Sequence, residues 1–286
     1  MSVTYNSLNV DERYSKILEP NLYYNPVMVP GVTFSDKYQT GPAGQIYVHK
    51  LATQAVEPGK PGRDFSDTEV ADTLIPIQIN NNFHSSKKLY RVQAAAVDYA
   101  MGNEFLSIAI QECREGWMRS GLACLVQEGT AAAATAALTA DTVKSDIIAT
   151  RTEIVKRKGR ANVVMCSPDF YGLVLLAAGK DFTPNQNDRI AATGNVGNWL
   201  GFTFVEANSM NGTIKYYDSA NQLKSVDMSG VDYIMYNHEA LSIISNFELA
   251  RIVDSENFSG SKAQVEMNTG YKVTNNELVY VRKTAA

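Results

Sequence analysis

The chain has no uninterrupted apolar run near the ~18 residues that read as a bilayer-spanning helix, so no membrane segment is expected. Its N-terminus, MSVTYNSLNVDERYSK, is polar and has no apolar core of the kind a secretory signal requires. Without a secretory route, Asn211-Gly212-Thr213 is a chance match to a glycosylation sequon. Cysteine is scarce: Cys113, Cys124 and Cys166 stand apart without metal-ligand spacing, and read as reduced, buried thiols of an intracellular protein. Histidine is equally sparse. His49, His84 and His238 are far apart and sit in unlike contexts, and a lone histidine is more often a hydrogen-bonded residue than a catalyst.

HExxH, CxxC and GxSxG are absent. The glycines of Gly194-Asn195-Val196-Gly197 lack the Lys-Ser/Thr pair of a phosphate loop, and Ser259…Lys262 lacks the partner motifs of acylating enzymes. No catalytic residue, cofactor or metal ligand is therefore expected, and the role reads as structural rather than enzymatic. An excess of positive charge is missing too. Twenty-six Lys and Arg stand against 30 Asp and Glu, for a net charge of −4. A dedicated nucleic-acid binder shows the opposite balance. The one dense basic run, Lys156-Arg157-Lys158-Gly159-Arg160, reads first as charge placed at a helix C-terminus.

What the chain does have is 286 residues with 45 % hydrophobic content, enough for one large domain or two modest ones. The stretch that organises it is 93–129, which has no proline and is rich in good helix formers. Asn103 suits the cap of a helix over 104–129, a rod of roughly 38 Å at ~1.5 Å per residue. Leu106, Ile110, Cys113, Trp117 and Cys124 share one stripe; Ile108, Met118, Leu122 and Val126 share another. A helix apolar on two sides is expected to be clamped between layers, with Trp117 buried.

Before this rod, residues 1–40 scatter tyrosines among prolines and polar residues without periodicity. They read as an extended arm lying on another molecule or as a flap on the chain's own domain. Residues 44–52 and 73–83 read as strands, the first alternating Ile46, Val48 and Leu51, the second aligning Ile75, Ile77 and Ile79. Pro76 makes the second an edge strand. Between them, 53–72 is Pro/Gly-rich and charged, suited to the tip of a long two-stranded arm that an assembly partner would stabilise.

After the rod, an Ala/Thr tract leads to a helix capped by Thr139 and closed by Gly159. A buried strand follows over 162–166. A helix then starts at Ser167-Pro168-Asp169 and ends at Gly179. Residues 181–200 read as a loop, 201–206, 214–217 and 231–236 as strands, and 238–244 as a short helix begun by Asn237. The chain ends in β structure: 247–253, then 262–274 and 277–283 joined at Asn275-Asn276.

In that order, the hairpin 44–83, the rod 93–129, the helix–strand–helix 139–179 with its Asn162-Val163-Val164-Met165-Cys166-Ser167-Pro168 core, the strand after Trp199, the turn Tyr236-Asn237-His238-Glu239-Ala240 and the closing β segment resemble a tailed-bacteriophage major capsid protein of the Hong Kong 97 type. The resemblance implies an α+β fold with an N-terminal arm (1–40) and an extended hairpin loop (41–86). It also implies a peripheral domain holding a spine helix and the closing strands (87–137 and 247–286), and an axial domain (138–246). It further implies self-assembly into pentamers and hexamers of an icosahedral head around double-stranded DNA that is contacted non-specifically. The expected partners are a separate scaffolding protein and a portal, and the expected location is a virion capsid assembled in the host cytoplasm. Tyr23, Tyr24, Gly59, Lys60, Arg63, Asp64, Phe65 and Asp67 are then the expected subunit-interface residues. An encapsulin-like compartment shell, or an α/β enzyme with a ligand at the Ser167 helix start, are the alternatives.

Overall fold

The computed structural model describes residues 27–38, 44–51, 71–91, 101–131, 136–180 and 198–284. In chain order these form β1 (Gln45–Leu51), β2 (Asp72–Gln78), β3 (Asn81–Tyr90), α1 (Met101–Glu128) and β4 (Thr130–Ala131). Next come α2 (Val143–Lys156), β5 (Val163–Cys166), α3 (Pro168–Gly179), β6 (Asn198–Trp199), β7 (Phe202–Glu206), β8 (Thr213–Tyr217) and β9 (Leu223–Asp227). The chain closes with β10 (Val231–Tyr236), β11 (Leu241–Asp254), β12 (Gly260–Val273) and β13 (Val279–Lys283). It is a mixed helix-and-sheet fold.

α1 is the expected rod, and its two halves differ. Around Ala109 and Cys113 only one face is buried, and Ser107, Glu112, Arg114 and Glu115 are exposed. From Ser120 to Val126 every residue is buried. The first half lies on the three-stranded antiparallel sheet β11-β12-β3, whose Ala263, Val265 and Tyr271 alternate toward it. The second half lies under the six-stranded sheet β4-β13-β10-β5-β7-β6, against Val163, Met165, Ile234, Tyr236, Val279 and Val281. The β8–β9 hairpin closes the same core with Ile214, Tyr216 and Val226. The opposite face of the six-stranded sheet carries Val164, Cys166, Tyr233 and Met235, covered by Val143, Ile147 and Ile154 of α2 and Phe170 and Val174 of α3. β5 is covered on both faces, which is why it is a continuous apolar run.

Several local signals act as the sequence suggests. Ser167 caps α3 by accepting from Phe170 N–H (3.3 Å), with proline in the first turn. Pro76 lies in a two-stranded sheet, β1–β2, where both strands are edges.

Four readings need correction. Residues 73–83 are not one strand. The ladder stops at Gln78 because the Asn81 amide pairs with both main-chain groups of Tyr217 (2.9 and 2.8 Å), while Asn80 donates to the Asp218 carbonyl (2.6 Å). The next strand, β3, then starts on a different sheet. α2 begins at Val143 rather than after Thr139, because Thr142 N–H donates to the Thr139 carbonyl (3.0 Å) and forms a turn first. Its C-terminus is turned by Lys158 in the left-handed region (φ 61°), with Gly159 N–H donating to Ile154 O (3.0 Å). Gly159 is needed for space, since a Cβ there would sit 2.2 Å from Leu278 Cδ2. The helix expected over 238–244 is a single 3₁₀ turn, His238–Ala240, because Leu241 already pairs with Val273 in β11.

One buried ionic cluster ties the last strand to the rest. Arg282 of β13, its side chain 3 % exposed, pairs with Asp146 of α2 (3.0 Å) and with Asp232 of β10. It also donates to the Ala136 carbonyl (2.8 Å). Tyr233 donates to Asp146 (2.7 Å), and Thr150 meets the same hydroxyl at 2.7 Å.

Two stability measurements follow from this packing. Replacing Arg282 with Met leaves Asp146 and Asp232 without their cation, a loss of about 3–5 kcal/mol in urea unfolding. Where β2 runs toward β3 it crosses β12 so closely that a Cβ on Gly270 would lie 2.5 Å from the Gln78 carbonyl oxygen. Gly270→Ala is therefore expected to cost about 1–3 kcal/mol through forced backbone movement, whereas Gly172→Ala, on the exposed side of α3 with nothing within 4 Å, is the contrasting case and is expected to gain up to about 1 kcal/mol from helix propensity.

Candidate assembly surfaces

A two-stranded sheet has two faces and rarely enough neighbours for both. The β1–β2 register pairs Ile46 with Ile77 and Val48 with Ile75, and this face packs on Ile244 of β11. The same register places Tyr47, His49 and Leu51 with Pro76, Leu74 and Asp72 on the other face. There Tyr47, Leu51 and Leu74 are 56, 62 and 52 % exposed, and His49 Nδ1 lies 2.6 Å from Asp72 Oδ2. Leu51 thus faces away from Ile46 and Val48, against the alternation expected of the three. Tyr47 and Leu74 are the complement of the inward alternation, and Leu51 is the residue that the alternation assigns to the wrong face.

The expected interface residues Tyr23, Tyr24, Gly59, Lys60, Arg63, Asp64, Phe65 and Asp67 lie outside the described residues, as do most of the arm and the hairpin tip. The described base of that hairpin carries the exposed row just named. A second exposed apolar pair, Ile148 and Val155, lies on the outer side of α2. The basic run at the end of α2 is used locally: Lys156 pairs with Glu153 (2.8 Å), and Lys158 shapes the turn.

The chemistry-bearing residues are committed to structure. Burial pushes the thiols of Cys124 and Cys166 well above their ordinary values, which keeps them protonated and unreactive. Burial likewise pushes up the phenol of Tyr236, whose hydroxyl donates to the Thr33 carbonyl (2.8 Å) and pins the segment before β1. His238 is held by Asn162, whose Oδ1 accepts from its main-chain N–H (2.9 Å). His84 meets Asn82 at 3.0 Å, far from the other two histidines along the chain. Lys262 lies over the Phe258 ring (5.8 Å), and the Ser259 carbonyl accepts from Arg91 N–H (3.1 Å). Among the described residues no three of His, Cys, Asp and Glu cluster as metal ligands, and no helix is long and apolar enough to cross a membrane. At the helix start named in the enzyme alternative, the Ser167 hydroxyl accepts from Phe170 N–H as the cap of α3.

No protein-family model and no curated protein matches the chain. Solved structures do. A chain from Mycobacterium phage Che8 matches with a TM-score of 0.73 at 16 % identity, over 96 % of this chain and 97 % of that one. A chain of the capsid structure of the cyanophage P-SCSP1u matches with a TM-score of 0.67 at 12 % identity, over 100 % and 99 %. A chain of the mature capsid asymmetric unit of bacteriophage PhiM1 matches at 0.66 and 14 % identity, over 96 % and 91 %. Nearly end to end, then, the chain has the fold of phage capsid structures.

Proposed function

We propose that the chain is a structural subunit of an icosahedral phage head of the Hong Kong 97 type. The observation that carries this reading is the reciprocal coverage of the fold match: little of this chain or of the capsid chains is left over. The exposed apolar face of β1–β2 supports it, because Tyr47, Leu51 and Leu74 share one face as a row of the kind that marks an association surface. On this reading residues 41–86 form the extended loop, 87–137 and 247–286 the peripheral domain around α1, and 138–246 the axial domain. The first part of the arm 1–40 and the loop tip, with Tyr23, Tyr24, Gly59, Lys60, Arg63, Asp64, Phe65 and Asp67, lie across neighbouring subunits, whereas Val27, Met28 and Phe34 pack in the chain's own core, the flap alternative for that part. Pentamers and hexamers close the shell, a scaffolding protein and a portal guide it, and assembly takes place in the host cytoplasm. The net charge of −4 suits a lining that encloses double-stranded DNA without gripping its phosphates, since many tight phosphate contacts oppose release.

The test is electron microscopy and sedimentation of the purified full chain, alone and with its co-expressed scaffolding protein. Closed shells, or rings of five and six, are expected; a uniform small particle in both conditions would overturn the reading. Particles from infected cells should carry nuclease-protected DNA, and protein cargo in its place would favour a compartment shell. Deleting residues 53–72 should leave the circular-dichroism spectrum of the subunit unchanged and abolish closed shells.

A further inference from the structure

Two helices cover one face of the six-stranded sheet, and they leave a furrow between them. α2 packs over β13, and α3 packs over β10 and β5, the next two strands. Lys180 at the C-cap of α3 pairs with Asp141 just before α2 (2.5 Å), so the two helices run antiparallel. One flank of α2 is turned to β13. Asp146 pairs with Arg282 there (3.0 Å), and burial, then the charges of Asp146 and Glu153, raise the Tyr280 phenol. The opposite flank carries Ile148, Arg151 and Val155, at i, i+3 and i+7 of one stripe, and so faces α3. The matching stripe of α3 is Leu173, Leu176 and Lys180, at the same spacing, with Lys180 marking the side that looks toward α2.

The core beneath is already filled by Val143, Ile147 and Ile154 of α2 and by Phe170 and Val174 of α3. The stripes above it stay uncovered: Ile148, Val155 and Leu176 are 44, 49 and 62 % exposed. They line an apolar furrow closed at one end by the Lys180–Asp141 pair. Charge along the furrow is one-sided. Arg151 stands between Ile148 and Val155 on the stripe, and Lys158 and Arg160 follow where α2 ends. All three are exposed, and none has an ion pair among the described residues. Against them stands Asp169, exposed in the first turn of α3. The local surplus is positive although the whole chain carries −4.

We propose that this furrow docks an acidic amphipathic helix of another protein. An apolar row of that helix sits on Ile148, Val155 and Leu176, and carboxylates on its flank meet Arg151, Lys158 and Arg160. The proposal stands apart from the shell-subunit reading, since it needs only the folded chain. Walls that are themselves helices offer a strand no edge of free main-chain groups, whereas a helix arrives with its own groups paired. Side-chain ridges of a third helix fit such a furrow at axis separations of ~8–10 Å. A nucleic-acid backbone would meet the cations and leave the three aliphatic side chains in water. A second copy of the chain fits less well. Among the described residues no helix offers an acidic apolar face: the exposed side of α1 mixes Glu115 with Arg114, and its Glu112 is paired with Lys87 (2.7 Å).

The probes are two fluorescent peptides of about 14 residues, ~21 Å long as helices, each stapled into helical form on its far face. Both carry leucine at i, i+4, i+7 and i+11; one has glutamate on the flanks, the other lysine. Binding to the purified full chain is read by fluorescence anisotropy. The glutamate peptide should bind at least tenfold more tightly than the lysine peptide. Ile148→Gln and Leu176→Gln should each weaken it at least fivefold with the circular-dichroism spectrum unchanged. Ile252→Gln, at a comparably exposed residue of β11 (43 %), should bind like wild type. No binding of the glutamate peptide, equal affinity for the two peptides, or an equal loss from Ile252→Gln would overturn the proposal. So would a DNA duplex that displaces the peptide and loses affinity with Arg151→Gln, which would assign the stripe to phosphate contact. Self-association of the wild-type chain that Ile148→Gln abolishes would overturn it in favour of a second copy. If the variants do not fold, the comparison of the two peptides on the wild-type chain decides. None of these outcomes bears on whether the chain forms shells.

Discussion

The burial of Ser120–Val126 on every side of α1 is the constraint that sets the rest of the fold. A helix so enclosed must be met by partners from several directions, and here they come from three sheets. Tyr271 of β12 donates to the Trp117 carbonyl (3.0 Å) on one side, and Tyr216 of β8 packs into the same core on another. At the helix end, Glu128 accepts from Lys272 Nζ and from Val273 N–H (both 2.9 Å), which fixes the end of β12 against α1. The small residues Ser120, Ala123 and Cys124 let the sheets approach closely; larger side chains would hold them apart. The helix is thus the common reference for sheets that share almost no hydrogen bonds with one another.

This explains which parts of the fold the sequence disclosed. α1, β5, α3 and β10 were legible because their signals are local: a long proline-free run, a doubly covered apolar strand, a Ser-Pro-Asp start, a β-rich hexamer. β9 and the break between β2 and β3 were not. Leu223–Asp227 turns only Val226 into the core, too weak a pattern to count as a strand. The break depends on Asn80 and Asn81 finding main-chain partners more than 130 residues away, and no window of sequence contains both ends of that bond. The outward row Tyr47, Leu51 and Leu74 was missed for another reason. Alternation identifies one packed face, and a strand pair with apolar residues on both faces carries a second row, Tyr47 and Leu74, that simple alternation discards, while Leu51 is assigned to the wrong face. Trp117 is the same case on a helix: expected to be buried, it is instead half-buried and lines a hollow, because its neighbours on that side stop short.

The distribution of uncovered apolar surface is therefore ordered. Around Ser120–Val126 of α1 the packing is dense. Away from it, the β1–β2 face keeps Tyr47, Leu51 and Leu74 in contact with water. Such edges are a hazard in a protein that works alone. On the shell-subunit reading they are the surface from which association draws its free energy, since apolar burial contributes about 25 cal/mol per Å² removed from water. The same economy explains the modest net charge: a strongly single-signed surface would repel identical copies.

The Arg282 cluster fits this logic as a device for geometry rather than for strength. A buried ion pair gains little over a well-packed apolar contact, and its usual advantage is that it admits few alternative arrangements. Arg282 joins the last described strand to α2, to β10 and to the segment at Ala136, so the helical layer over the six-stranded sheet is locked to a strand made at the end of the chain. β13 is also the strand through which β4, directly after α1, joins that sheet. Val279 and Val281 of β13 complete the core over α1. Neither side of the sheet is fully packed until residues 279–283 arrive, so its closure depends on long-range contacts, which form late and cooperatively. A chain built this way has a fixed relation between its hairpin, α1 and its outer helices only once residues 279–283 are in place. On the shell-subunit reading, partly made chains lack that relation, present these apolar surfaces in no consistent geometry and cannot propagate an ordered shell.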